Sequence, residues 1–230
     1  MCWNERVSFL SYITGVITCI LAYYYLNHSL PKLFIYLWLF GIQMQLIEGI
    51  AWRQHDKNIQ STVTTRVAYG LNVLQPIVYI IAVLLFYYFS LSKNNKDNED
   101  NKDNIIILIL IVLLVGYSVY AINRTIALYP FNKSIRPNNS CKHINLWWWN
   151  NGFSAFAHIS TLLVAVFLTM FIVKKEWKFI LLQLVFTTFM LLLSFFIVPC
   201  GKASMWCWFV VAAPLFTWLT WNKTNNRDKN

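Results

Sequence analysis

Gln43-Met44-Gln45-Leu46-Ile47-Glu48-Gly49-Ile50-Ala51-Trp52 closes an apolar run that begins near Leu33. On an α-helix Gly41, Gln45, Glu48 and Trp52 recur at spacings of four, three and four, which makes a polar stripe with one carboxyl group. The run is long enough to cross the ~30 Å of a bilayer's hydrocarbon. A carboxyl group there is costly, about 2.5–3.5 kcal/mol at a helix centre. Glu48 is therefore expected to face other helices or water and to have a partner.

The rest of the chain repeats that apolar character. Its 230 residues are 58% hydrophobic, 17% aromatic and 12% charged, whereas soluble domains are roughly 45–50% apolar and 25% charged. That composition is the signature of a multi-pass integral membrane protein. The formal charge of +10 comes from Lys and Arg in the short connections between apolar runs, the ordinary pattern beside membrane spans, and so excludes nucleic acid as a partner. Val7–Leu26 is too long for the apolar core of a signal peptide, and Tyr23-Tyr24-Tyr25-Leu26 offers no small-residue cleavage site, so it is expected to be a retained span.

Seven spans follow, giving an all-α, seven-transmembrane-helix protein: Val7–Leu26, Leu33–Trp52, Val63–Leu91, Ile105–Ala127, Ser154–Val173, Trp177–Val198 and Ala203–Trp221. They form one domain over 1–221, with a solvated loop at 93–104 rich in Lys, Asn, Asp and Glu and a polar tail at 222–230. Pro76, inside the third span, predicts a kink or extra tilt. The linker from Leu128 to Asn145 leads into Trp147-Trp148-Trp149, residues suited to the headgroup level.

Lys and Arg divide nine on the N-terminal side against ten on the other. With Arg66 and Arg124 counted inside span ends the division is seven against ten, which favours an outside or lumenal N-terminus and a cytoplasmic C-terminus. An odd number of spans also sorts the unusual residues. Cys2-Trp3-Asn4-Glu5, Trp52, Cys141, His143, the three tryptophans and the segment from Gly201 to Trp208 all fall on the N-terminal face, with Glu48 about one turn below it.

These residues carry a resemblance. The initial Met1-Cys2-Trp3-Asn4-Glu5, the Gln45–Glu48–Trp52 pattern, Leu74-Gln75-Pro76, a His followed by paired tryptophans, and Gly201 followed by Ser204-Met205-Trp206-Cys207-Trp208 run the length of the chain. Together they resemble a family of small seven-helix membrane proteins associated with giant DNA viruses and some bacteria. The resemblance implies the seven-helix fold and no particular activity. Lys202 and Ala203, between Gly201 and Ser204, depart from the tighter Gly-Ser pattern of that family.

Several constellations compete for the chemistry. Arg66 or Arg124 is the expected ion-pair partner of Glu48, since both lie near the same face in adjoining spans. Tyr69, Asn72, Gln75 with Pro76, and Tyr79 share one face of the third span. Facing the second span, they would give a cleft of Gln45, Glu48, Trp52, Asn72 and Gln75, which serves either as interhelical glue or as a solute site. Cys2, Cys141, Cys200 and Cys207 share the N-terminal face and are disulfide candidates if that face is oxidising; free thiols are the alternative. His143 and His158 could meet at a zinc ion if the chain bends at Asn150-Asn151-Gly152. His158 reads equally as a hydrogen-bonded packing residue.

A retinal protein would need a Schiff-base lysine in the last span, and Ala203–Trp221 has none. Asp-Arg-Tyr-like and Asn-Pro-x-x-Tyr-like runs, the marks of a signalling receptor, are also missing. What remains is binding or transport of a small solute at the cleft, with no cofactor. A membrane-embedded zinc-dependent lipid hydrolase and a scaffold without small-molecule chemistry are the alternatives. Trp3-Asn4 against Trp149-Asn150, and Pro76 against Pro214, hint at two three-helix halves joined by a seventh helix.

Overall fold

A computed structural model of the chain describes residues 4–56, 62–91, 101–129, 136–138, 143–145, 155–173, 176–197 and 206–227. Seven helices run through them: α1 Glu5–Tyr25, α2 Ser29–Asp56, α3 Thr62–Phe86, α4 Asn101–Leu128, α5 Ala155–Ile172, α6 Trp177–Ile197 and α7 Trp206–Arg227. Four helical stretches, Glu5–Tyr25, Ser29–Asp56, Thr62–Phe89 and Asp103–Leu128, are long and apolar enough to cross a membrane. Shorter apolar stretches lie at Ala157–Ile172 and Trp177–Met190. Ile105, Leu108, Val112, Val115, Val119, Ile122 and Ile126 on α4 are all exposed. In water such a surface would be untenable; in a bilayer, lipid solvates it.

The helix ends follow from local chemistry. Asn4 caps α1, its Oδ1 accepting from the Val7 N–H at 2.9 Å, a contact worth about 1 kcal/mol. α2 overruns its apolar run at both ends, starting at Ser29 and ending at Asp56, because a helix can continue into the headgroup layer once it has left hydrocarbon. For the same reason α4 begins inside the stretch read as a solvated loop, and α7 runs to Arg227, six residues into the stretch read as a polar tail. There the Thr224 hydroxyl donates to the carbonyls of Thr220 and Trp221, at 2.9 and 3.0 Å. Pro76 leaves α3 continuous; the irregularity comes later, as a π-helical turn at Tyr87–Leu91. Within the linker a small antiparallel hairpin, β1 Arg136–Asn138 and β2 His143–Asn145, pairs Pro137 with Ile144 and lies against α2.

Helices adjacent in sequence pack side by side, and α7 closes the ring against α1 and α2. In that ring α4 packs on both α3 and α5. The tightest seam joins α1 to α2. On α1 the buried residues are Ser8, Ser11, Gly15, Cys19 and Ala22, a stripe of small side chains at spacings of three and four. Such stripes let helix backbones approach closely where no hydrophobic effect drives them together. A Cβ placed on Gly15 would stand 2.9 Å from Ile42 Cδ1, and one on Gly49 would stand 3.1 Å from Cε1 of the Phe9 ring.

Many polar side chains in this interior are bonded to carbonyls or to one another. Hydroxyls of Thr125, Thr161, Thr169, Thr217 and Thr220 each bond a carbonyl four residues back in their own helix, which is how threonine is accommodated in an apolar span. A larger network joins α2, α6 and α7. The Trp38 indole N–H donates to Thr217 Oγ1 at 3.1 Å, the single Thr217 hydroxyl proton is shared between the Ala213 carbonyl at 2.9 Å and Gln183 Oε1 at 3.1 Å, and Gln183 Nε2 donates to Thr220 Oγ1 at 2.9 Å. Gln183, Thr217 and Thr220 are all buried. Thr217→Val keeps the shape and removes the hub. It is expected to cost about 1–2 kcal/mol of stability, read as a lower Tm in detergent, because the indole N–H and the Gln183 carbonyl lose their partner together. An unchanged Tm would show that the network holds nothing.

Candidate functional site

The polar stripe of α2 is buried inside the bundle. Gln45 is 1% exposed and Glu48 3%, and Trp52 is also buried. Eight residues separate Glu48 from the Asp56 end of α2, which sets it about 12 Å along the helix axis from that end. Burial of the stripe follows from what flanks it: Met44, Ala51 and Trp52 pack in one apolar cluster with Ala68, Tyr69 and Val73 of α3 and with Tyr117 and Ala121 of α4.

From α3 comes Asn72, also buried, whose Nδ2 donates to the Ala68 carbonyl at 3.1 Å and meets Met44 Sδ of α2 at 3.7 Å. Pro76 lies four residues further on. Lacking an N–H, it leaves the Asn72 carbonyl without its helical donor. One residue thus combines a side-chain amide that meets Met44, in the turn of α2 that precedes Glu48, with a backbone oxygen freed by Pro76. Gln75 is half-buried on the edge of the same face. Nearer the N-terminal face, the Thr64 hydroxyl donates to Gln54 Oε1 at 2.8 Å and ties the two helices together.

Arg66 and Arg124 do not join this group. Both are exposed, with the Arg66 guanidinium 6.0 Å from the centre of the Tyr129 ring and that of Arg124 5.7 Å from Tyr120. Among the described residues no ion pair links either one to Glu48; Arg53, in the last turn of α2, and Glu5, in the first turn of α1, do form one at 3.9 Å. The physical reason is distance from the helix end. Each arginine stands four residues inside the terminus of its helix, close enough for a long side chain to reach the interface and rest on a ring there.

His158 is buried on α5, its Nδ1 3.1 Å from the Tyr117 hydroxyl of α4. Tyr117 belongs to the cluster that holds Met44, Trp52 and Tyr69, so His158 borders the α2–α3 site through it. Tyr69 in turn shares a hydrogen bond with Thr125 at 3.0 Å, and deeper in the bundle Tyr79 shares one with Thr169 at 3.2 Å. Tyr117→Phe takes away a hydrogen bond to His158, and the expected fall in stability is about 1 kcal/mol. A Tm within error of the native protein would mean that the imidazole is held otherwise.

His143 stands in β2, opposite Asn138, but its side chain lies outside the described residues. So do Cys2, Cys141, Cys200 and the side chain of Cys207. Cys19 is buried and free. Among the described residues no three His, Cys, Asp or Glu side chains gather as a metal site would require. Sequence reasoning missed Tyr117 and the network of Trp38, Gln183, Thr217 and Thr220. The signal for the network was Gln183, the one amide side chain in α6.

The chain matches no protein-family model, no curated protein and no solved structure.

Proposed function

We propose that this multi-pass membrane protein binds a small polar solute between α2 and α3 and carries it across the membrane, Glu48 being the charged group of the site. The observation that carries the reading is the burial of Gln45 and Glu48, at 1% and 3% exposure, in a bundle whose outer surface is apolar. Ionisable and amide groups inside a membrane are expensive, and where they are kept they commonly mark solute or ion paths. Asn72 beside Pro76 adds the irregular, proline-modified helix that such sites use to present backbone oxygen.

The site is rich in acceptors: the Glu48 carboxyl, the amide oxygens of Gln45 and Asn72, and the carbonyl that Pro76 frees. A solute with several N–H or O–H donors fits that character. An outside N-terminus and a cytoplasmic C-terminus, which the sequence count of seven basic residues against ten favours, are part of the proposal.

The test is a solute panel of amino acids, sugars, nucleosides and polyamines. The purified protein is scored for thermal stabilisation in detergent, and any positive solute is followed by counterflow into proteoliposomes. A solute that raises Tm for the native protein but not for Asn72→Leu, and that enters protein-containing vesicles faster than empty ones, supports the site. If no solute moves Tm and vesicle flux equals that of empty liposomes, the polar cluster is structural and the protein is a scaffold.

A further inference from the structure

On the face where α1 ends and α2 begins, Lys32 is the fourth residue of α2 and Tyr36 stands one turn deeper on the same side of that helix. Tyr23, near the end of α1, meets both. Its ring lies under the Lys32 ammonium, 4.5 Å from Nζ to the ring centre, and its hydroxyl is 3.1 Å from that of Tyr36. Tyr23 is 38% exposed and Tyr36 56%, so the group looks out of the bundle. Among the described residues no carboxylate pairs with Lys32, and the Arg53–Glu5 pair is on the other face.

We propose that Lys32, Tyr23 and Tyr36 form a binding site for the phosphate of an anionic phospholipid, in the seam between α1 and α2. The ammonium has three donors and no acceptor, and the ring beneath it faces only one side of the charge. Two phenols that share one hydrogen bond leave one O–H still to donate. These donors converge near a helix end among exposed tyrosines, the level at which aromatic side chains meet lipid headgroups. Below them the seam becomes apolar, with Ile20 exposed one turn deeper on α1, a surface against which an acyl chain lies. The charge and the depth both call for a lipid, which brings its phosphate to that height already anchored.

The experiment is native mass spectrometry of the full chain in detergent, titrated with phosphatidylglycerol or phosphatidylcholine. Phosphatidylglycerol is expected to bind more tightly than phosphatidylcholine. Lys32→Gln should weaken that binding roughly fivefold, the worth of one cation near an anionic leaflet, and Tyr36→Phe should weaken it by a smaller factor. Lys178→Gln, which removes an exposed lysine of α6 near the same face, should leave it unchanged. Equal binding of the two lipids, an unaffected Lys32→Gln variant, or an equal loss in Lys178→Gln would each overturn the site. So would displacement of phosphatidylglycerol by millimolar inorganic phosphate, which would make the ligand a free anion.

Discussion

Glu48→Gln is expected to leave the bundle folded and to reduce solute flux at least tenfold. The substitution keeps the volume and one acceptor oxygen, so contacts to that oxygen survive, while the charge disappears from a site that is 3% exposed. Holding a carboxylate in such surroundings is unfavourable, so losing the charge should alter stability by no more than about 1–2 kcal/mol in either direction. Flux is different. A solute recognised by N–H or O–H donors loses its one charged acceptor among the site's described groups, and a tenfold loss corresponds to about 1.4 kcal/mol, within the reach of one charge-assisted hydrogen bond. Tm and counterflow measured on the same preparation separate the two effects. Flux within twofold of the native rate, at an unchanged Tm, would remove Glu48 from the mechanism.

Gly15→Leu should separate α1 from the rest of the bundle. A bare Cβ at this position already comes within 2.9 Å of Ile42 Cδ1, and Ile42 is fully buried, so the three further carbons of leucine have nowhere to go. Overpacking of this kind costs about 1–3 kcal/mol, occasionally more. Gly15→Ala should show the same sign at smaller size. At Gly70 and Gly116 a Cβ meets nothing within 4 Å, so alanine there should stabilise by up to about 1 kcal/mol through helix propensity alone. One substitution, glycine to alanine, is thus expected to have opposite signs at two places in one protein. Unfolding titrations in mixed micelles would show it, and a neutral Gly15→Leu would mean that α1 and α2 are not packed as described.

Where α1 to α7 run could be read from the chain because hydrocarbon imposes a length, and seven apolar runs satisfy it. Their ends could not, since Asp56 and Arg227 stay helical for reasons that lie in the headgroup layer and in hydroxyl back-bonds. The Gln45–Glu48 stripe was legible from spacing, as was the face of α3 that carries Asn72. Charge sign suggested Arg66 or Arg124 as the partner of Glu48, but both guanidiniums rest by tyrosine rings instead, because charge sign alone ignores how far a guanidinium can reach toward the interface. The partnership of Trp38, Gln183 and Thr217 spans three helices. No local pattern announces it, since the partners lie 34 and 179 residues apart in the chain. By contrast, Ser8, Ser11, Gly15, Cys19 and Ala22 form a heptad-like repeat that the sequence displays openly.

The hydrogen-bond chain from Trp38 through Thr217 and Gln183 to Thr220 ends on the Phe216 carbonyl, which accepts from Thr220 at 2.7 Å. Its first member is an indole, which can only donate, and its last is a carbonyl, which can only accept. Proton hopping along such a row requires every link to reverse direction afterwards, and neither end permits that. A polar seam through a membrane protein is usually a hazard to the ion gradients across it. This one is wired in a single direction, so it grips three helices while remaining an insulator to protons.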